Sequence, residues 1–258
     1  MKKILGVCLV LFSMGFLGCN VEFGVQDRIK GNLVDIDKSV NLGSNINEIE
    51  INTGISDVTI KTYEGDAIVI KGKISEKVLD INTEELDNKI TIKEQNNNDI
   101  WNSSSEYSSN YEIMIPSKYN NDFVLSIGVG DTNVNDINSN LLNINGGTGN
   151  LKLQNSKFKK LNMNCGVGDI DAEFACDYED ITISGGVGEV SMALEKVTGG
   201  LTYNGGVGVF NLKLPKNAPI DLNISKGVGD IKNKAKLSEE KKYNFDVSIG
   251  VGVVEIYN

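Results

Sequence analysis

Short acidic side chains recur directly after glycine pairs in the second half of this sequence. Seven G-x-G units lie between residues 128 and 252, and an acid follows the second glycine in four of them: Asp131, Asp169, Glu189 and Asp230. Carboxylates bind calcium where six to eight oxygens converge on one point. Because the other three units lack the acid, we favour a second interpretation, in which short polar side chains accept hydrogen bonds from backbone N–H groups at a turn. Calcium binding stays open at this point.

The residue types that the chain lacks exclude several kinds of catalysis. It contains no histidine and four cysteines, which excludes Ser–His and Cys–His catalysis and the common zinc sites. Phosphate loops need a helix after the glycines, whereas a strand-like pattern follows every G-x-G here. A polysaccharide-processing enzyme needs paired carboxylates in a groove, and Asp169 with Glu189 belongs to a regular row instead. We predict a protein that is not an enzyme and has no cofactor, with polysaccharide processing as the less favoured alternative.

The G-x-G units define a repeat. Their first glycines stand at 128, 147, 166, 186, 206, 227 and 250, at intervals of 19 to 23 residues. Apolar residues stand five and three places before the glycine, as Leu161 and Met163 do, with polar residues between them, which is the alternation of a β-strand. After the second glycine the alternation resumes shifted by one residue, as it does at a corner or bulge. On this pattern the residue between the glycines is predicted to face inward.

Glycine is expected at such corners because it tolerates a positive φ and the close approach of another backbone. The predicted structural corners are Gly128, Gly130, Gly166, Gly168, Gly186, Gly188, Gly206, Gly208, Gly227 and Gly229. Two short strands and two bends fill a repeat of about 20 residues. The sequence therefore predicts an all-β fold, a single-stranded parallel β-solenoid of about 20 residues per rung that is preceded by a looser β cap.

The first residues have the features of an export signal. Lys2 and Lys3 precede a short apolar run that ends at Gly18 and Cys19, which resembles a bacterial lipobox. We predict a signal peptide at 1–18, lipidation of Cys19, a tether at 19–45, a β cap with the first rungs at 46–122, and regular rungs at 123–258. Acyl chains would hold the protein in the membrane, on the extracytoplasmic face of the cell membrane.

The negative net charge of the chain limits the classes of molecule that it is expected to bind. The whole chain has a net charge of −10, and it becomes −12 when the two lysines of the signal segment are set aside. Nucleic acid and anionic lipid both require a basic surface, so neither is expected as the main partner.

Cys165 and Cys176 are too few for a disulfide scaffold and are interpreted as small buried residues, although a bridge between them stays open.

Three stretches resemble a known bacterial family. They are "IEINTGISDVTI" at 49–60, "MIPSKY" at 114–119 leading into "FVLSIGVGDTNV", and the repeated glycine corner. Over residues 45–258 the chain resembles the bacterial "putative adhesin" proteins, a β-strand-repeat family of unknown function. The resemblance implies a β-solenoid at the cell surface and brings no catalytic residues with it.

The candidate binding site is a row of uncharged polar residues two places before the first glycines. This polar ladder comprises Asn145, Asn164, Ser184, Asn204 and Ser225. A flat repetitive face suits an extended envelope polymer or a protein, and the same side chains can instead stabilise the stack by hydrogen bonding between rungs. An envelope-stress or signalling accessory role through protein contacts is the alternative function. The final "VVEIYN" is predicted to leave an open edge, through which copies could self-associate.

Overall fold

A computed structural model describes residues 32–76, 78–96 and 109–258. The predicted signal peptide and Cys19 lie outside the described residues. The described strands are β1 (Leu33–Asn41), β2 (Glu48–Asn52), β3 (Ser56–Tyr63), β4 (Ala67–Ser75), β5 (Val78–Leu86), β6 (Lys89–Asn96), β7 (Ser109–Pro116), β8 (Asp122–Ser126), β9 (Thr132–Asn135), β10 (Asn138–Asn145), β11 (Leu151–Gln154), β12 (Lys157–Asn164), β13 (Ile170–Phe174), β14 (Asp180–Leu194), β15 (Gly200–Lys213), β16 (Ile220–Asn233) and β17 (Tyr243–Tyr257). Within this part of the chain, no helix has the length and apolar character needed to span a membrane.

The strands form one mixed sheet that wraps nearly closed around an apolar core. From β8 onward, equivalent residues of neighbouring repeats pair in parallel, so that Leu142 lies between Phe123 and Leu161. All three side chains are fully buried, because the period-two alternation directs them to the same face. The strand before each G-x-G unit belongs to one half of the sheet and the strand after it to the other, and the glycine corners join the two halves.

The N-terminal strands overturn the predicted parallel solenoid. β1 pairs with β4, β4 with β7, and β5 with β6, all antiparallel. The all-β class is correct, but the single-stranded parallel β-solenoid is wrong, because the sheet contains both directions. The cause is visible at β5 and β6, which are joined by only Asp87 and Asn88, with φ of 48° and 67°. Two central residues with positive φ form a tight hairpin turn, and a hairpin requires antiparallel strands.

Part of the predicted tether belongs to the sheet. Residues 33–41 form β1, which pairs along its whole length with β4. Ile36 is buried in the core, and Asp35 lies 2.7 Å from Lys73 across the pair. Val34, Ile36 and Val40 alternate with polar residues, which is the pattern of a strand, and the sequence analysis missed it.

The last two strands are not stacked in the order of the chain. β17 pairs on one side with β15 and on the other with β16, so that Val247 lies between Tyr203 and Ile224. Among the described strands, β16 pairs only with β17. The free edge is therefore β16, one repeat earlier than the C-terminal strand that the sequence indicated. After β16 the chain packs Ala235 and Leu237 partly against the core before it re-enters the sheet.

Candidate binding surface

The G-x-G units lie at sharp corners between the two halves of the sheet. At the first glycines, a side chain would collide with the neighbouring repeat, since a Cβ on Gly147 would lie 1.8 Å from the carbonyl oxygen of Gly128. The second glycines have a positive φ of 134° to 149°, a range that side chains disfavour. They are Gly130, Gly149, Gly168, Gly188, Gly208, Gly229 and Gly252. Each corner thus requires glycine for two separate reasons.

The valines between the glycines face outward, which corrects the phase expected from the sequence. Their side chains are between 47% and 69% exposed. They are Val129, Val167, Val187, Val207, Val228 and Val251. The positive φ of the second glycine turns the chain at this point, so a strict count of alternate residues fails here. The result is a row of exposed apolar side chains along the corner.

Polar side chains after the corner connect one repeat to the next. The Asp131 carboxylate accepts a hydrogen bond from Asn150 N at 3.0 Å, and the Asp169 carboxylate accepts one from Glu189 N at 2.9 Å. Between them, the Asn150 side-chain oxygen accepts from Asp169 N at 3.2 Å. These are the turn-capping bonds that the sequence indicated.

A groove of about 510 Å³ runs beside these carboxylates. Among residues 32–76, 78–96 and 109–258, no three Cys, Asp or Glu side chains come together in a way that could hold a metal ion. The corner carboxylates are instead spaced one per repeat and directed at backbone amides, so the arrangement serves to connect repeats.

The polar ladder is brought together in one row on the half of the sheet before the corners. Asn145 pairs with Asn164, Asn164 with Ser184, and Ser184 with Asn204. Because β17 lies between β15 and β16, Ser248 stands between Asn204 and Ser225. The row therefore runs in the order 145, 164, 184, 204, 248 and 225.

Hydrogen bonds link several members of the ladder directly. Asn164 Nδ2 donates to Asn145 Oδ1 at 3.0 Å, and Ser248 Oγ donates to Asn204 Oδ1 at 2.8 Å. A parallel bond joins Asn162 Nδ2 to Asn143 Oδ1 at 2.9 Å, two residues earlier on the same strands. An amide group has two donor hydrogens and two acceptor lone pairs, and each of these bonds uses one. Donors and acceptors remain on the exposed side of the row, about 4.8 Å apart along the stack.

A basic groove that the sequence analysis missed lies at the start of the ladder strands. It encloses about 600 Å³ and is lined in part by Asn138, Asn140, Lys157 and Lys159. Both lysines are exposed. Lys196 on the same rim lies 2.8 Å from Asp177. The signal for this groove was the run "KFKK" at 157–160, in which a buried Phe158 separates two outward lysines.

One buried carboxylate closes the first corner. Glu94, on β6, is 5% exposed and accepts hydrogen bonds from Gly54 N at 3.0 Å and Ile55 N at 3.2 Å. It also accepts from the hydroxyls of Ser56 at 2.7 Å and Tyr111 at 3.1 Å. Burial and the neighbouring Glu94 raise the pKa of Tyr111 well above its usual value.

The first corner differs from the later ones. In later repeats the residue after the first glycine donates its N–H to a carbonyl of the preceding repeat, as Val129 N does to Gly54 O at 2.7 Å. Among the described residues no repeat precedes the first corner, and Glu94 supplies the acceptor there.

The two described cysteines are free thiols. Both are partly buried against the core, and burial raises the pKa of Cys165 to about 11. A thiol with so high a pKa is largely protonated at neutral pH, which makes it a poor nucleophile.

Repeats that pair in parallel on glycine corners define the molecule as a β-strand-repeat protein. The chain belongs to the Toastrack DUF4097 family, whose model matches residues 46–250. The resemblance to a β-strand-repeat family of unknown function is thereby confirmed.

Several solved structures are similar to this chain. One is a "putative lipid binding protein" of Parabacteroides distasonis, with 17% identity, coverage of 89% of this chain and 99% of that one, and a TM-score of 0.46. A "putative adhesin" of Bacteroides fragilis has 16% identity, coverage of 87% and 97%, and a TM-score of 0.44. A "putative cell adhesion protein" of Clostridium sporogenes has 18% identity, coverage of 88% and 99%, and a TM-score of 0.41. No curated protein matches the chain.

Proposed function

We propose that this chain is a non-catalytic, adhesin-like lipoprotein that binds an extended polymer of the cell envelope. In this proposal Cys19 carries the acyl chains that hold it at the extracytoplasmic face of the membrane, and the polar ladder contacts the polymer. Membership of the Toastrack DUF4097 family, together with the resemblance of the sequence to the bacterial putative adhesins, supports the general class. The particular role rests on the residues of the ladder.

The main observation that supports polymer binding is that the ladder presents amide groups at a constant spacing on an exposed strand face. Asn145 and Asn164 are both exposed and bonded to each other, so their amide planes are held in place before any ligand arrives. Fixing these side chains in advance reduces the entropy lost on binding. A polymer whose hydroxyl and carbonyl groups repeat along its length can use successive members of the row. The adjacent basic groove with Lys157 and Lys159 favours a polymer that also carries negative charge.

The test replaces Asn164 and Ser184, neighbours in the ladder, with alanine, which removes their polar groups without adding a charge that would attract an anionic polymer. The matched control replaces Asn211 and Ser191 with alanine, because these residues form the same kind of neighbouring pair on the other half of the sheet. Binding to purified envelope polymer is measured by co-sedimentation, and folding is checked by circular dichroism. We expect the ladder variant to lose binding while the control retains it. Equal binding by both variants would contradict the proposal.

Membrane attachment through Cys19 has its own test. Cys19→Ala should move the protein from the membrane fraction to the soluble fraction of cells that express it, and should remove its labelling by a fatty-acid analogue. Unchanged membrane association and labelling would exclude lipidation at this residue.

The alternative role as an envelope-stress or signalling accessory can be distinguished in intact cells. A photocrosslinking residue at Asn162 lies beside the ladder, and one at Tyr257 lies at the end of β17. Adducts with envelope polymer at Asn162 support the polymer-binding proposal. A specific protein adduct at either position, without polymer, supports the signalling role.

A further inference from the structure

The two ends of the sheet have opposite charge. Residues 226–242, which contain most of β16 and the segment after it, include six lysines and three acidic residues, and we call them the basic end. Residues 80–87, which contain most of β5 and the turn after it, include four acidic residues and no lysine or arginine, and we call them the acidic end. Because the whole chain has a net charge of −10, the basic end is a local exception.

Both ends are also edges of the sheet. Among the described strands, β16 pairs only with β17, and β5 pairs only with β6. In earlier repeats the second glycine donates its N–H to the next repeat, as Gly130 N does to Thr148 O at 2.9 Å. Gly229 is the equivalent glycine of β16, and no repeat follows it in the stack. Unpaired edge groups of this kind can bond to the edge of another sheet.

Apolar and charged side chains without partners accompany the two edges. Val228 on β16 and Leu86 on β5 are among the most exposed large apolar residues described, at 69% and 63%. Glu84, Glu85 and Asp87 are exposed. None of these three acids forms an ion pair with another described residue, so their charge is available to a partner.

The direction of the strands allows the two edges to meet. β16 runs parallel to β17 and, through the intervening repeats, to β2 and β6, whereas β5 is antiparallel to β6. If a second copy follows the first along the stack with the same orientation, its β5 lies beside β16 as an antiparallel neighbour. Antiparallel pairing is the commoner and slightly more stable arrangement of two strands.

The existing register indicates which residues would meet. Lys89 pairs with Leu86 on one side and with Glu48 on the other, and Glu48 pairs with Asp122. Asp122 stands six residues before the first glycine of its repeat, which is the position of Asp221 in β16.

Leu86 of a following copy would therefore lie opposite Asp221. Lys241 Nζ already contacts Asp221 at 2.6 Å, and Lys242 is next to it in the chain. These two lysines would then lie beside the unpaired acids at the end of β5, which are Glu84, Glu85 and Asp87.

We propose that the basic end of one copy binds the acidic end of a second copy, with β16 adding to β5 in a head-to-tail contact. The contact extends the sheet, covers Val228 and Leu86, and pairs the lysines with the free acids. A head-to-tail contact uses two different surfaces of the chain and leaves one of each free, so repetition gives a linear series of copies.

The test uses charge reversal in the full chain. One variant carries Lys241→Glu and Lys242→Glu, a second carries Glu84→Lys and Glu85→Lys, and a third carries all four substitutions. The control carries Lys152→Glu and Lys160→Glu on β11 and β12, which changes the charge by the same amount away from both edges. Analytical ultracentrifugation at a fixed detergent concentration, over a series of protein and salt concentrations, gives the association constant of each.

We expect the wild type and the control to associate, with a constant that falls as salt rises. Either double reversal should weaken association about tenfold or more, because like charges then face each other across the contact. The chain with all four substitutions should regain association, because the two charges are exchanged rather than removed. A monomeric wild type, an unchanged constant in both double reversals, or no recovery in the fourfold variant would overturn the proposal.

Discussion

The buried carboxylate of Glu94 offers a sharp test of how the first corner is stabilised. Replacing it with alanine removes the acceptor for the amides of Gly54 and Ile55 and for the hydroxyls of Ser56 and Tyr111. The hydroxyls can rotate toward other acceptors, but the two amides are fixed by the backbone.

The expected cost follows from those two amides. Each buried N–H left without a partner costs about 1–3 kcal/mol. Because Gly54 and Ile55 are only partly buried, the alanine variant should lose about 3 kcal/mol of unfolding free energy. Glu94→Gln keeps one oxygen, which can accept two bonds, but it directs an NH₂ group at the remaining donors. We expect an intermediate loss of about 2 kcal/mol for glutamine.

The assay combines urea unfolding with hydrogen exchange. Glu112→Gln is the control, because Glu112 is a half-exposed glutamate on the neighbouring β7 and lies 2.9 Å from Lys61. An exposed ion pair of this kind contributes about 0.2–1 kcal/mol. The amides of Gly54 and Ile55 should exchange much faster in Glu94→Ala than in the control. A loss within 1 kcal/mol of the control, with both amides still protected, would refute the reasoning.

Three further perturbations test other parts of the structure. Gly208→Ala places a Cβ 1.8 Å from the carbonyl oxygen of Gly188 at a φ of 147°, and it should lower the free energy of unfolding in urea by about 3 kcal/mol. The control is Gly43→Ala, in which the new Cβ clashes only with the flexible side chain of Asn45, and it should cost under about 1 kcal/mol. Similar losses in the two variants would contradict the corner geometry. The Lys89 ammonium hydrogen-bonds Glu50 and lowers its pKa below 4.5, so this pair contributes stability above that pH and loses it as the pH falls through the lowered pKa. Lys89→Met should therefore be less stable than wild type by up to about 1 kcal/mol at pH 7, and the difference should disappear as the pH falls through the lowered pKa of Glu50. A difference that persists in strong acid would exclude the pair as its cause. Burial raises the pKa of Cys165 from 9.0 to about 11, which lowers the fraction of reactive thiolate. Site-resolved labelling of this thiol at pH 8 should therefore be roughly 100-fold slower in the folded chain than in urea. Equal rates would contradict the burial of Cys165.

The repeat itself could be predicted from the sequence because its signals are local. Alternation around Leu161 and Met163 determines which side chains face the core, and glycine at 166 and 168 marks the corner. The short polar residues after three of the corners, Asp131, Asn150 and Asp169, also have a local role, since each caps an amide of the next repeat. These features depend on a few adjacent residues and on one period.

The features that were missed depend on which strands become neighbours. The alternation in β6 indicates a strand but not its direction, and the turn at Asp87 and Asn88 makes its pairing with β5 antiparallel. Glu94 occurs in the polar run "KEQNNN", which is typical of an exposed edge, and its burial follows from the corner and Tyr111 folding over it. The basic groove likewise forms only when "KFKK" at 157–160 lies beside the turns of neighbouring repeats.

The position of β17 between β15 and β16 has a consequence for the way the chain acquires its structure. When synthesis or export delivers the chain from its N-terminus, β16 emerges before β17, at a time when β15 still has an unoccupied edge. β16 carries the same glycine corner as β17, with Gly227 and Gly229 in place of Gly250 and Gly252, so it can occupy that edge temporarily. Residues 243–257 reach their place between β15 and β16 only if any such pairing opens, so completion of this end is an insertion between two strands rather than an addition at a free edge. Residues 243–257 thus determine whether the preceding repeat reaches its final place.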